Sequence, residues 1–463
     1  MSQNLTYEKS STNTRKIIQE GDFIIIRRQD ASRLVQVDKY KAAFLGKQKL
    51  FLGGIIGKPY GSSFEVKGSD LHFVDPAKSR FLCSSVAIAE AQTRDNRFLV
   101  DDGKSQKLTK EQIEELKTGG VSGEQIVENL VENSTTFKDK TQYAQAKYLK
   151  KKQKKYINHV IILEPTTRLL SEMYFSQGPL KICNLRVDSL AQMLAMCNVM
   201  SRGRYVVFDS CFGLLTAAVL ERLGDSGCVV QVYPGPGPTS SFRQAVYALN
   251  LAQEQLKKLL VGLPVTEAAR LLLPPSNEVI NHDKHVVPKI TGDSKENSVE
   301  VNAREEAEEK DEFTSVVDMK DCEVEDKYES QANKSAKEEA KADRKAQRMD
   351  EQKIAKEILA VKNMDGLLVV SRHHPTNIVL TLLEFLAPSR PFAVFSLYQQ
   401  PLVDCYRKLK DKGETLFLKL TETWLRSYQV LPDRTHPAIN MSGSGGYLLT
   451  GIKVEPLQTH KKS

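Results

Sequence analysis

No apolar run in this 463-residue chain approaches the ~20 residues that a membrane-spanning helix requires. The N-terminus is polar and lacks an apolar core segment, which predicts no secretory signal. Cysteine is sparse. Its seven residues, at 83, 183, 197, 211, 228, 322 and 405, form no C-x-x-C pair and sit with no His at zinc-ligand spacing. That excludes a disulfide framework and a legible zinc site, and leaves reduced, mostly buried thiols of an intracellular protein. A large excess of one charge is also missing. Lys and Arg number 66 against 58 Asp and Glu, a net +8, so only local clustering can point to an anionic partner. The length predicts two or three domains with a large core.

The most telling shortage is of glycine, at one loop. Tyr205-Val-Val-Phe208 reads as a strand and Leu214 to Leu223 as a helix stopped by Gly224. Between them runs Asp209-Ser-Cys-Phe-Gly-Leu-Leu215. In methyltransferases this turn reads acid-x-Gly-x-Gly-x-Gly, because bare backbone lets S-adenosylmethionine approach closely. Here Asp209 supplies the acid and Gly213 the middle glycine, but Cys211 and Leu215 hold the outer glycine positions. Their side chains would fill the cofactor's space. Strand-turn-helix with one glycine also occurs in α/β proteins that never had such a site, so other segments must decide.

Short β-like runs with Gly-rich turns, among them Phe23–Ile26, Leu34–Val37, Lys49–Leu52 and Ser63–Val66, predict a small barrel or sandwich over residues 15–75. Capping boxes at Thr109–Gln112 and Ser122–Gln125 open two helices, and a third is expected from Lys138 to Tyr156. Together they make a helical connector over 98–157. From residue 158 apolar strands (Val160–Leu163, Tyr205–Phe208, Cys228–Tyr233, Gly366–Val370, Phe392–Ser396, Thr415–Leu420) alternate with helices (Val187–Met200, Leu214–Leu223, Asn377–Leu386, Leu402–Lys412). That alternation predicts a mostly parallel, doubly wound sheet, ended by a hairpin of Trp424–Val430 and Tyr447–Val454. Residues from about 275 to 350 interrupt this domain with a Glu/Lys-rich, disordered insertion, whose Ser335–Leu359 part suits a solvated helix. The expected fold is therefore α/β: an N-terminal β-barrel, a helical connector and a Rossmann-like class I methyltransferase domain with a degenerate cofactor site.

Several long stretches carry a resemblance: Phe98–Thr109, Glu132–Lys140, Val370-Ser-Arg-His-His-Pro-Thr376, Ala387–Phe392, Thr421–Arg434 and Met441–Thr450. In these the chain resembles the non-catalytic subunits of the eukaryotic tRNA N1-methyladenosine methyltransferase, which acts on adenosine 58 of the T-loop. The resemblance implies a homologous catalytic partner that binds S-adenosylmethionine, a heterotetramer with two copies of each subunit, tRNA lying across both subunit types, and a nuclear location. It implies no cofactor in this chain.

Two further losses agree. The strand after the loop ends in Tyr233-Pro234, without the acid that binds ribose hydroxyls in cofactor-binding relatives. The active relatives' acid near the substrate base is replaced by Ser371, and Asp365 reads as a turn or cap residue. Arg372 then becomes the leading RNA-contact candidate, at a strand's C-terminal end; pairing with a carboxylate is the competing role. His373 and His374 are adjacent, show no third ligand and read as structural, so no metal is expected. Lys147, Lys150, Lys151, Lys152, Lys154 and Lys155 put six lysines in nine residues, suited to phosphate, with Tyr148 and Tyr156 as stacking surfaces. A solvated helix face or a nuclear-import signal is the alternative. The only tryptophan, Trp424, reads with Arg426 as subunit interface first and RNA contact second. Pro234–Pro238 is a turn, since Pro offers no N–H to a phosphate. Two readings outside this one stay open at this point: an active methyltransferase with an unusual loop, and a free-standing RNA-binding or translation-associated protein.

Overall fold

The computed structural model describes residues 16–29, 31–74, 105–118, 121, 123–137, 140–235, 242–273, 331–431, 434–441 and 443–455. Residues 75–104, most of Pro234–Pro238 and the charged insertion up to residue 330 lie outside them.

Seven strands make the N-terminal sheet: β1 (Phe23–Arg28), β2 (Ala31–Gln36), β3 (Ala42–Leu45), β4 (Gln48–Phe51), β5 (Ser63–Lys67), β6 (Asp70–Val74) and β7 (His159–Leu163). Their order is β2-β1-β7-β5-β6-β4-β3. The two edge strands are consecutive in sequence, and Arg33 Nη1 donates across the seam to the Phe44 carbonyl at 2.7 Å. The barrel is thus nearly closed. Ile24, Ile26, Leu50, Phe64, Val160 and Ile162 fill it and are fully buried.

β7 corrects an expectation. The alternation of strands and helices puts Val160–Leu163 at the start of the doubly wound sheet, yet it pairs antiparallel with both β1 and β5. Val160 and Ile162 face the barrel core while Ile161 stays 38% exposed, the period of a strand with one wet face. In sequence an outward isoleucine made that strand look apolar on both faces.

Among the described residues, the α-helices before β7 are α1 (Lys110–Thr118), α2 (Gly123–Glu132) and α3 (Gln142–Tyr156). The Thr109 N–H donates to Gln112 Oε1 at 3.0 Å and the Gln112 N–H to Thr109 Oγ1 at 3.3 Å, a complete capping box. α3 starts four residues later than expected, because Thr141 caps it and accepts the Ala144 N–H at 3.3 Å.

The second sheet contains β8 (Arg204–Asp209), β9 (Cys228–Tyr233), β10 (Leu260–Pro264), β11 (Gly366–Val370), β12 (Pro391–Ser396) and β13 (Thr415–Glu422). After the separate hairpin β14 (Tyr428–Leu431) and β15 (Arg434–Pro437), β16 (Tyr447–Lys453) completes it. The order is β10-β9-β8-β11-β12-β16-β13, with β16 antiparallel to both neighbours. Renumbered within the sheet this reads 3-2-1-4-5-7-6 with the seventh strand reversed, the class I methyltransferase arrangement. The expected terminal hairpin is corrected: Tyr447–Lys453 inserts between β12 and β13, while Tyr428–Leu431 pairs only with β15. Leu448 and Leu449 are both buried, so β16 has core on each face, whereas Val430 is 73% exposed.

Helices α4 (Thr167–Gln177), α5 (Val187–Met196) and α6 (Leu214–Leu223) pack with Val207, Leu368 and Phe395 on one face of this sheet. On the other, Val206, Phe208 and Val369 meet the C-terminal end of α7 (Gln331–Ala360), α8 (Pro375–Leu383) and α9 (Gln399–Lys412). Asn250 fastens the barrel to this domain, accepting the Phe23 N–H at 2.6 Å and donating to the Phe23 carbonyl at 2.8 Å. Of a second unit, α7 is described up to residue 351, and from Ala342 to that point it is mostly exposed.

A degenerate cofactor loop beside an open crevice

Asp209 ends β8 fully buried. Its Oδ1 accepts the Cys211 N–H at 2.6 Å, and its Oδ2 accepts the Thr216 N–H at 2.9 Å and the Thr216 hydroxyl at 3.0 Å. Burial raises the Asp209 pKa, against the lowering effect of those backbone donors. The carboxylate is therefore spent inside the loop. Cys211, Leu214 and Leu215 are fully buried in the core shared with α4 and α5.

The space between the loop and the end of β9 is taken by the chain itself. Gln231 Nε2 donates to the Phe242 carbonyl at 2.8 Å, and Arg243 Nε donates to Gln231 Oε1 at 3.0 Å. The buried Tyr233 ring stacks on Phe242, with centroids 5.6 Å apart and planes 20° from parallel. A Cβ placed on Gly213 would lie 2.6 Å from the Phe242 carbonyl oxygen, and the residue has φ +80°. The retained glycine thus serves the packing of Phe242–Arg243. Gly213→Ala is expected to destabilise the chain by about 2–4 kcal/mol through strain and a backbone clash. Chemical denaturation reads this; a loss under ~1 kcal/mol would mean that the segment does not press on the loop.

A crevice remains further along the sheet, beyond the C-terminal ends of β11 and β12. It is a cavity of about 410 Å³ bordered by Cys183, Asn184, Ser371, Arg372, Phe395 and Tyr398. Ser371, at the position of the expected acid, accepts the His373 N–H through its hydroxyl at 3.0 Å and stabilises the turn. Arg372 is exposed. Its Nη2 donates to the Lys181 carbonyl at 3.1 Å, and its Cζ lies 5.9 Å from the Phe212 ring centroid. Among the described residues it makes no ion pair with a carboxylate. Phe212, in the loop after β8, is the platform beneath this guanidinium. Asn184 and Tyr398 were not singled out in sequence, since nothing local marks them as crevice residues.

His374 occupies the N-cap position of α8 without a capping bond and lies 3.5 Å from Asp404 of α9, while His373 is exposed. Among the described residues no three His, Cys, Asp or Glu side chains are grouped to hold a metal. Asp365 accepts the Arg204 N–H at 2.9 Å and pairs with Arg390 at 3.1 Å, a structural task.

On α3, Lys147, Lys151 and Lys155 follow i, i+4, i+8 spacing along one face, and they and Lys150 are exposed. The side chain of Lys154 lies outside the described set. Lys152 is half-buried with its Nζ 5.3 Å from the Tyr148 ring centroid. None of these five described lysines pairs with an acid among the described residues. Tyr148 is a correction as a stacking surface: it packs on Phe137 at 5.4 Å and lies under Lys140 as well as Lys152. The hidden face of α3 explains this, with Leu149 buried against Val127 and Phe137.

Trp424 is 67% exposed, and Arg426 is exposed beside it. Tyr428, Val430 and Ile439 continue the apolar surface at 57%, 73% and 90% exposure.

The model of the Gcd10p family matches residues 17–294. The Mus musculus "tRNA (adenine(58)-N(1))-methyltransferase non-catalytic subunit TRM6" is 42% identical over 453 residues, covering 94% of this chain and 88% of the mouse protein. The Dictyostelium discoideum protein of the same description is 30% identical over 460 residues, covering 96% of this chain and 81% of its own. Among solved structures, the tRNA (m1A58) methyltransferase TrmI from Aquifex aeolicus aligns with 95% of this chain at 12% identity and a TM-score of 0.40, over its full length.

Proposed function

Because the chain belongs to the Gcd10p family, we propose that it is the non-catalytic, tRNA-binding subunit of a methyltransferase that acts on N1 of adenosine 58. A homologous catalytic subunit binds S-adenosylmethionine and performs the transfer; this chain holds no cofactor. The observation that carries the reading is the filled loop: Cys211 and Leu215 are buried in the core, and Phe242–Arg243 bridges the loop to β9.

This subunit's contribution is then to hold and orient RNA. Arg372, fixed at the mouth of the open crevice, meets phosphate or a base near the partner's site. The lysines of α3 neutralise backbone phosphates at longer range. The exposed surface of Trp424 and the β14–β15 hairpin is where subunits meet, because an isolated two-stranded hairpin gains stability by packing on something else. Two copies of each subunit assemble, and the complex works in the nucleus. No described helix is long and apolar enough to cross a membrane.

The test is calorimetric titration of S-adenosylmethionine into the full chain, followed by tRNA methylation with and without the catalytic subunit. Binding and methylation are expected only when that subunit is present. Cofactor binding by the chain alone would overturn the reading, since it would mean that Cys211 and Leu215 leave room for the ligand.

A further inference from the structure

The open crevice contains chemistry that RNA recognition leaves unused. Cys183 follows the 3-10 turn Pro179–Ile182, borders the crevice and is half-buried. Two backbone segments lie side by side here. Cys183 Sγ donates to the Ser210 carbonyl at 3.6 Å, and Cys211 Sγ donates to the Ile182 carbonyl at 3.2 Å. That reciprocity sets residues 182–183 against residues 210–211 and brings the two thiols side by side.

Their environments differ. The adjacent Cys211 holds the Cys183 thiol below its ordinary pKa; burial opposes this and the Arg372 guanidinium adds to it. Burial, and then the neighbouring Cys183, push the Cys211 thiol well up. The other described cysteines lack such a partner: burial raises Cys228 and Cys405 to about 11 and raises Cys197 further. A solvent-accessible thiol beside a cation, with a second thiol in reach, is the arrangement that oxidants select.

We propose that Cys183 and Cys211 form an oxidisable pair, with Cys183 the sulfur attacked by peroxide entering the crevice and Cys211 the resolving thiol. The Cys183 thiolate attacks one peroxide oxygen, the O–O bond breaks, and the departing hydroxide takes up a proton to leave as water. Cys183 is then a sulfenic acid. The Cys211 sulfur attacks it, the S–O bond breaks, and a second water leaves with the Cys211 proton. In sum, two thiols and one peroxide give one disulfide and two waters, with two electrons passing to the peroxide. A disulfide's ~2.05 Å bond length asks each sulfur to leave the carbonyl it now bonds and turn toward the other. The bond would tie the turn whose Lys181 carbonyl anchors Arg372 to the loop whose Phe212 ring lies beneath it. The redox state of the pair is thereby coupled to the placement of Arg372. None of this depends on which ligand the crevice takes.

The experiment treats the native, full-length chain with hydrogen peroxide, alkylates remaining thiols at timed points and maps the peptides by mass spectrometry. The Cys183–Cys211 disulfide is expected to form at least about tenfold faster than any change at Cys197, Cys228 or Cys405. Cys211→Ser should remove the disulfide and leave Cys183 as a sulfenic acid captured by dimedone; Cys183→Ser should remove both products. Oxidation of Cys228 or Cys405 ahead of Cys183, or a wild-type chain in which Cys183 stays alkylatable throughout, would overturn the proposal. The wild-type kinetics decide even where a variant fails to fold.

Discussion

Arg372→Ala is expected to lower tRNA methylation by the assembled complex about 10- to 100-fold, the cost of losing a hydrogen bond between charged groups, while the complex stays intact. The side chain is exposed, and besides the Cys183 thiol its contacts among the described residues are a single bond to the Lys181 carbonyl and the Phe212 ring. Neither holds the core together, so the substitution should spare folding. What they do is fix a guanidinium at the C-terminal end of β11, where open α/β sheets place their ligand crevices. The competing carboxylate-pairing role finds no partner among the described residues. Steady-state kinetics separate the two ways of acting. A phosphate contact made equally in ground and transition states raises KM and leaves kcat alone, whereas positioning of the reacting adenine lowers kcat. Arg372→Lys keeps the charge but loses the planar fork, so it should recover a phosphate role better than a stacking role. Full turnover by Arg372→Ala in a complex shown by sedimentation to be assembled would remove Arg372 from the RNA path.

The features that the sequence made legible are local ones. Asp209 to Leu223 is a continuous strand, turn and helix, and its departures from a glycine-rich loop lie in adjacent residues. The Thr109–Gln112 capping box is equally local, and its two bonds form as the residue types dictate. What escaped reading was set by tertiary partners. β7 was assigned to the wrong sheet, because Val160 to Leu163 is apolar throughout and only the paired strands show which face is wet. β10 was not expected, since Leu260-Val-Gly-Leu-Pro264 carries Gly and Pro, and it becomes a strand by lying along β9 in full register. Phe242–Arg243, which fills the space beside Gly213, sits about thirty residues further along the chain and bears no motif. The same holds for Cys183 and Cys211: the spacing of the cysteines excluded a zinc pattern but gave no sign that two would meet. In the candidate site, the lost glycines and Arg372 could thus be read in one dimension, whereas the Phe212 platform and the crevice could not.

The lysines of α3 offer a substitution whose effects on fold and on binding carry opposite signs. Lys147, Lys151 and Lys155 lie one turn apart on an exposed face, and like charges at that spacing disfavour a helix by about 0.2–0.5 kcal/mol per pair. Lys151→Glu places an acid between two of them and creates two favourable pairs, so thermal stability should hold or rise slightly. RNA binding should move the other way. Each lysine–phosphate contact releases condensed counterions, which contributes about 0.7–0.9 to the slope of log affinity against log salt. Lys147→Glu/Lys151→Glu/Lys155→Glu should therefore flatten that slope by about 2–3 and lower affinity at moderate salt roughly 100-fold or more. Lys152→Glu serves as the graded control. It is half-buried where Lys147, Lys151 and Lys155 are exposed, so reversal there should cost some local packing and change the slope less. Titrating labelled tRNA into the assembled complex across a salt series measures all of these at once. A triple variant with the wild-type slope would assign the stripe to solvent; a flattened slope in a fully folded complex would put phosphate on α3.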